Sequence, residues 1–192
     1  MTWEIRMPIR FILAVSGGLG SGKSTLTTEV AARLGWARAS FGDQVKKVAA
    51  ENNLDATDRA VLQNLGQALV LTKLEDFIEE TLAQAQGAEY IVLDGIRHVE
   101  VLLMLKQKYH EAVRLVHLDV PSDIRQERYI KRENVERRLL ARYESDITEA
   151  QIARILPQYA DLSVNGTLPT AMLSEQVVAF ARREADHQTR AA

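Results

Sequence analysis

The sequence predicts an α/β fold in which a five-stranded parallel sheet lies between helices in a three-layer sandwich. Three observations predict it. Short apolar runs alternate with segments whose apolar residues recur at helical spacing, along most of the 192 residues. A glycine-rich stretch joins the first apolar run to the first helix. Polar residues stand just beyond several other runs, where an open parallel sheet gathers its ligands. Composition agrees: 46% hydrophobic and 26% charged residues is the balance of an ordinary globular chain able to bury a core.

The elements follow in order. Arg10 to Ser16 reads as a buried strand and Lys23 to Leu34 as a helix. Trp36 to Phe41 is a short second strand, with a helix over Asp43 to Asn52. Thr57 to about Gln86 is a long helical region expected to bend near Gly66, its apolar face carried by Leu62, Leu65, Leu69 and Leu74. Glu89 to Leu93 is a third strand that ends at Asp94, and Val99 to Tyr109 is a helix. Ala112 to Val120 is a fourth strand closed by Pro121, and from Ser122 the chain is helical and highly charged. Leu162 to Asn165 is a brief fifth strand. Pro169 to Glu184 is the last helix, with proline in its first turn, and Asp186 to Ala192 is expected to fray.

Charge and cysteine usage narrow the function classes. A net charge of −2 and a pI near 6.1 give no reason to expect a nucleic-acid partner. There are no cysteines, which excludes disulfide scaffolds, thiolate metal sites and cysteine nucleophiles, and fits a reducing compartment. Met1 to Pro8 carries Glu4 and Arg6 in place of a signal peptide's apolar run. No stretch approaches the roughly 18 apolar residues of a membrane span. The expectation is a cytoplasmic protein with no membrane partner.

The loop after the first strand carries the most chemistry. Gly17-Gly18-Leu19-Gly20-Ser21-Gly22-Lys23-Ser24 fits G-x-x-x-x-G-K-[ST], and Thr25 follows. Glycines let the backbone wrap so that successive amides face phosphate oxygens. Lys23 can reach β- and γ-phosphates, and the Ser24 hydroxyl can ligate Mg²⁺. The loop leads into a helix N-terminus, where unpaired amides and the macrodipole favour anions. The pattern therefore implies a nucleoside triphosphate, with ATP and Mg²⁺ as the expected cofactors.

Residues past the other strands complete a candidate site. Asp94 ends an apolar run, as a carboxylate that holds Mg²⁺ through water does. Asp43 begins the helix after strand two, where it can orient or deprotonate an acceptor hydroxyl, or simply favour the helix N-terminus. Arg97 can grip an acceptor phosphate bidentately. From Arg125 to Arg142 seven basic residues (Arg125, Arg128, Lys131, Arg132, Arg137, Arg138, Arg142) outnumber three acidic ones. Arg125, Arg128 and Arg132 share a helix face. Such a face can fold over a site and neutralise the charge that builds up during phosphoryl transfer, or be a solvated helix laced with ion pairs.

Taken together, the loop, Asp94-Gly95-Ile96-Arg97, Val120-Pro121 leading into Arg125 and Arg128, and Ala160-Asp161 through Asn165-Gly166 resemble the nucleoside monophosphate kinase group. Within it the likeness is to dephospho-coenzyme A kinase and the phage-type deoxynucleoside monophosphate kinases, and it runs from about Arg10 to Phe180. The resemblance implies that Asn165 and Gly166 lie beside the donor adenine. It also implies that Asp43, Arg59 and Gln63, from Ser40–Lys47 and Arg59–Gly66, face the acceptor, here a small phosphorylated molecule. One domain over residues 1–192 is then expected. Its core is about 10–120 and 160–185, its acceptor-binding helices about 42–86 and its Arg-rich lid about 122–145, in a monomer or homodimer.

Three departures leave the acceptor open between a nucleoside monophosphate and a ribose hydroxyl. Ile96-Arg97-His98 stands where adenylate-kinase-type enzymes carry proline, Asp43 stands alone where dephospho-coenzyme A kinases pair two aspartates, and a cysteine-bearing lid is absent. A different class, a nucleotide-driven switch or ATPase, also stays open, although no Asn-Lys-x-Asp guanine motif occurs.

Overall fold

A computed structural model describes residues 9–134, 143 and 147–191. Five strands, β1 (Phe11–Gly17), β2 (Ala37–Ser40), β3 (Tyr90–Ile96), β4 (Val113–Asp119) and β5 (Leu162–Asn165), form one sheet in the order β2-β3-β1-β4-β5, every pair parallel. Helices α1 (Lys23–Leu34), α2 (Phe41–Glu51), α3 (Arg59–Thr72), α4 (Leu74–Ala83), α5 (Val99–Tyr109), α6 (Ser122–Glu133), α7 (Ile147–Arg154) and α8 (Thr170–Ala191) make the crossovers. This is the α/β three-layer sandwich the alternating pattern implies.

The layers follow from the two-residue repeat of a strand. Along β1, Phe11, Leu13 and Val15 pack with residues of α1 and α8, while Ile12 and Ala14 pack with Phe77, Ile78 and Leu102 on the other face. Both faces of β1 are covered, so its sequence is continuously apolar rather than alternating. β1 lies centrally between β3 and β4, and its C-terminal end delivers the glycine-rich loop to the middle of the sheet's upper edge.

Four local expectations need correction. The long helix does not bend at Gly66, which packs against Val45 of α2; it breaks at Lys73, which separates α3 from α4. Val70 and Phe77 both enter the core, so the chain must re-aim between them, and tertiary packing sets a break that no Gly or Pro announces. β3 runs on past Asp94 to Ile96, with a register shift opposite β1 and Gly95 at φ 92°. The tail does not fray at Asp186: α8 continues to Ala191, through a stretch free of Gly and Pro. Finally, α7 and a 3₁₀ turn at Leu156–Tyr159 fill a region with no expected element. Arg137, Arg138, Arg142 and most of the expected lid between α6 and α7 lie outside the described residues.

Candidate active site

The loop is shaped by its glycines. Gly20 (φ 79°) adopts a left-handed conformation, and a Cβ there would stand 2.2 Å from the Arg125 carbonyl oxygen. Only glycine allows that approach. α1 starts at Lys23, and its N-cap, Gly22, offers no side-chain cap. The first amides of α1 are thus left for an anion rather than closed off by a hydroxyl or carboxylate. Ser24 and Thr25 are exposed in that first turn.

Lys23 is buried, and its Nζ donates to the carbonyls of Gly17 (2.5 Å) and Gly18 (3.1 Å). Burial pulls its pKa down to about 7; the Arg97 guanidinium adds to the effect, while Asp94 and Glu149 oppose it. Added negative charge at this point would be met by an ammonium ready to hold its proton more firmly.

Asp94 is 3% exposed and sits in β3 between Ser40 of β2 and Val15 of β1. Arg38 of β2, on which sequence reasoning placed no role, holds it: Nη2 lies 2.5 Å from Asp94 Oδ2, Nη1 3.4 Å from Asp43 Oδ2, and Nε donates to Thr27 Oγ1 at 3.2 Å. One guanidinium therefore ties the carboxylate beside the loop to the carboxylate at the start of α2. Asp43 itself lies in the first turn of α2, where its amide donates to Ser40 Oγ.

A cavity of about 590 Å³ opens beneath the loop. Its lining includes Gly20 to Thr25 of the loop and Asp94 of β3, together with Asp43, Arg59, Gln63 and Arg97. Phe41 and Phe77, with ring centroids 5.0 Å apart, form part of an apolar wall with Leu62 and Val101. His98 is buried at the same wall with its Nε2 2.9 Å from Gln67 Oε1. Gln63 donates to the Tyr143 carbonyl at 3.1 Å. The volume is in the range of small-molecule sites.

The structure also brings in Glu149 of α7, which no local pattern reveals because its partners lie far away along the chain. Its Oε1 lies 2.5 Å from Arg97 Nη1 and 3.8 Å from Arg59 Nη2, and its Oε2 accepts from the Leu19 amide at 3.1 Å. Burial alone would raise its pKa, but Arg97, Lys23, the Leu19 amide and Arg59 together hold it below the usual glutamate value.

The α6 arginines divide. Arg125 lies against the loop, donating from Nε to the Val120 carbonyl and from Nη1 to the Leu19 carbonyl at 3.0 Å. Arg128 donates to the Gly166 carbonyl at 2.9 Å and the Ser21 carbonyl at 3.5 Å. Both were expected to reach over the transferring group; here they brace the loop. Arg132 is at the cavity, paired with Glu133 and stacked 5.4 Å from the Tyr129 ring centroid. Asn165 and Gly166 close β5 on the far side of the loop, outside the cavity lining. A Cβ on Gly166 would stand 2.3 Å from Val120 Cγ2, so packing alone requires that glycine. Leu19 also lines the cavity, while Gly17 and Gly18 lie outside its lining and accept from Lys23 through their carbonyls.

Loop, sheet order and cavity define a P-loop α/β protein with a kinase-like fold. A family model described as an AAA domain matches residues 13–153, most of the chain, and the chain belongs to that family. A curated relative, a "UPF0200 protein" of Aeropyrum pernix, is 33% identical over 132 residues, covering 65% of this chain and 66%, just under two thirds, of the relative. Among solved structures, a gluconokinase from Sinorhizobium meliloti 1021 is similar with a TM-score of 0.62 at 17% identity, covering 96% of this chain and 99% of that one. A shikimate kinase from Acinetobacter baumannii, in complex with shikimate, has a TM-score of 0.59 at 16% identity, covering 91% and 92%. At such identities the likeness is one of fold. Among the described residues no helix is long and apolar enough to cross a membrane.

Proposed function

We propose that the chain is an ATP-dependent phosphotransferase that moves the γ-phosphoryl group of ATP to a small phosphorylated acceptor, with a (deoxy)nucleoside monophosphate as the leading class. One observation carries the reading: the P-loop and Asp94 line the same cavity as Arg97, Arg59, Gln63 and Asp43. A pure nucleotide switch needs only the loop and Asp94. The paired guanidiniums suit a phosphate, and the apolar wall with its two phenylalanines suits a base.

The residues present fit Mg²⁺-ATP. The loop cradle and the uncapped start of α1 suit the phosphates. The exposed Ser24 hydroxyl and, through water, Asp94 suit the metal, which supplies charge neutralisation of the triphosphate when bound. Arg38 fixes the orientation of Asp94 through Oδ2. Lys23 and the loop amides hold the donor, and Arg97 with Arg59 holds the acceptor's phosphate. Arg132, at the mouth, adds positive charge near the transferring group, while Arg125 and Arg128 position the loop. For adenine the resemblance points to Asn165 and Gly166. Transfer is then positioning and charge stabilisation, with no strong base required.

A second reading, a hydroxyl acceptor such as the ribose of dephospho-coenzyme A, draws on Asp43, whose carboxylate lines the cavity and is 56% exposed. Asp43 would then orient or deprotonate the hydroxyl. The test is ADP release from Mg²⁺-ATP against nucleoside monophosphates, deoxynucleoside monophosphates, dephospho-coenzyme A and shikimate. Strong stimulation by a monophosphate is expected. Stimulation by a hydroxyl acceptor alone selects the second reading, and turnover indifferent to every acceptor leaves a switch or ATPase.

A further inference from the structure

One carboxylate packed against residues that line the cavity has no part in the transfer described above. Glu149 stands on α7, its side chain 6% exposed, and both of its oxygens are engaged. Its partners are a P-loop amide (Leu19), two acceptor-side guanidiniums (Arg97 and Arg59) and, within electrostatic reach, the Lys23 ammonium. That set of donors suits a phosphoryl group. It also joins two groups of residues, Leu19 and Lys23 of the glycine-rich loop and Arg97 and Arg59, which the proposed reading assigns to the acceptor.

We infer that Glu149 is an internal stand-in for the transferring phosphoryl group: its carboxylate occupies the terminal-phosphate subsite between donor and acceptor, and ATP must expel it to bind there. The name of the ligand rests on the phosphotransferase reading; the anion subsite rests on the geometry. A carboxylate brings one charge and two oxygens. A phosphoryl group brings three oxygens and a charge nearer two, so it is the stronger partner for the same cations. The stand-in satisfies cations that would otherwise repel one another in a buried space, yet yields to the ligand. The C-terminal half of α7 is anchored, because Ile152 is buried in the main core beside Leu156. Release of Glu149 is therefore a movement of its side chain and of the first turn of α7.

A permanent structural role makes the opposite prediction. If Glu149 instead held Arg97 and Arg59 in place for substrate, removing its charge would weaken binding. The experiment is calorimetric titration of wild type, Glu149→Gln and Glu149→Ala with Mg²⁺-ATP and with Mg²⁺-ADP, which lacks the terminal phosphate. Removing an internal competitor that leaves about one tenth of the molecules competent tightens ATP binding about ten-fold. ADP affinity is expected to stay within about two-fold, so the ATP-to-ADP affinity ratio rises. Unchanged or weaker ATP binding in both variants overturns the inference.

Thermal melting with inorganic pyrophosphate as probe covers the case of a destabilised variant. A melting temperature lowered in Glu149→Gln and restored by pyrophosphate, with a larger rise than in wild type, supports the stand-in. A loss that pyrophosphate does not restore makes Glu149 a structural residue and overturns it. ATP binding to wild type that Glu149→Gln leaves unchanged removes this inference and leaves the phosphotransferase reading standing. ATP binding to none of the three proteins removes both.

Discussion

Under the proposed reading, the donor end and the acceptor end of the site are built by opposite means. The donor end is a continuous stretch of chain, Gly17 to Thr25, whose chemistry lies in backbone amides and in one lysine. The proposed acceptor end is assembled from side chains on separate elements, Asp43 of α2, Arg59 and Gln63 of α3 and Arg97 after β3, which Arg38 of β2 and Glu149 of α7 hold through charge pairs. Its geometry is kept by charge pairs, Arg38 with Asp94 and Asp43, and Arg97 and Arg59 with Glu149. A backbone site is fixed by local conformation and tolerates few substitutions. A side-chain site is fixed by its neighbours and can be retuned one pair at a time.

The contrast predicts where damage is greatest. Lys23→Ala should lower turnover by about 10³-fold or more with the fold retained, since it removes the ammonium that meets the transferring charge. Steady-state kinetics beside a far-ultraviolet spectrum check it, and near-normal turnover would dissolve the donor end as described. Next comes the backbone itself. Gly20→Ala combines a left-handed φ with a contact at 2.2 Å to a carbonyl, for a stability loss of about 3 kcal/mol or more by chemical denaturation. A neutral result would mean that the loop is more pliant than a backbone-defined site allows.

The acceptor end should give smaller, separable effects. Arg38→Ala leaves Asp94 buried beside the loop without its guanidinium. Arg38 is itself about a quarter exposed, so water takes up part of the loss and about 2 kcal/mol of stability is expected to go. Arg38→Lys should recover only part of it, because an ammonium lacks the fork that spans Asp94, Asp43 and Thr27. Arg97→Ala should raise the KM for a phosphorylated acceptor about ten-fold while the KM for ATP moves less. A change confined to ATP would shift Arg97 from the acceptor to the donor end.

The same division explains what the sequence made legible. The bounds of α1, α5 and β5 read directly from local pattern, because apolar period and turn residues coincide there. The P-loop read directly too, since every residue of it is consecutive. Asp94 and Arg97 stood out because an apolar run ends at the first and β3 ends just before the second. Arg38 was not, because a charged residue inside a short strand looks like any half-exposed position until β3 is laid beside it. Glu149 was invisible for a deeper reason: its hydrogen bond to Leu19 spans 130 residues of chain, and nothing in Thr148-Glu149-Ala150 distinguishes it from a solvated helix acid. The break at Lys73 belongs to the same class, imposed by what Val70 and Phe77 must both reach.

The smallest expected effect tests the layer under the donor end. His117 of β4 is 7% exposed, and its Nδ1 lies 2.9 Å from the Oγ of Ser16, the residue just before the loop. Burial holds its pKa below the usual histidine value; Asp119 works against that and Lys23 adds to it. The folded pKa lies below the unfolded one, so His117 costs nothing well above about pH 6.5. As pH falls through that value the unfolded chain takes up a proton that the native protein refuses, and stability declines until the folded pKa is reached. The slope from this one group is at most about 1.4 kcal/mol per pH unit. Urea denaturation at pH 7.5 and 5.5 should therefore show wild type losing about 1 kcal/mol more than His117→Asn, which keeps a polar partner for Ser16. Glu149, held below its usual range, stays charged across that window and contributes nothing to the difference. Identical losses in the two proteins would mean that His117 titrates alike folded and unfolded. Burial beneath the loop would then do less to His117 than its position implies, and the contrast with the side-chain-built acceptor end would narrow to the loop alone.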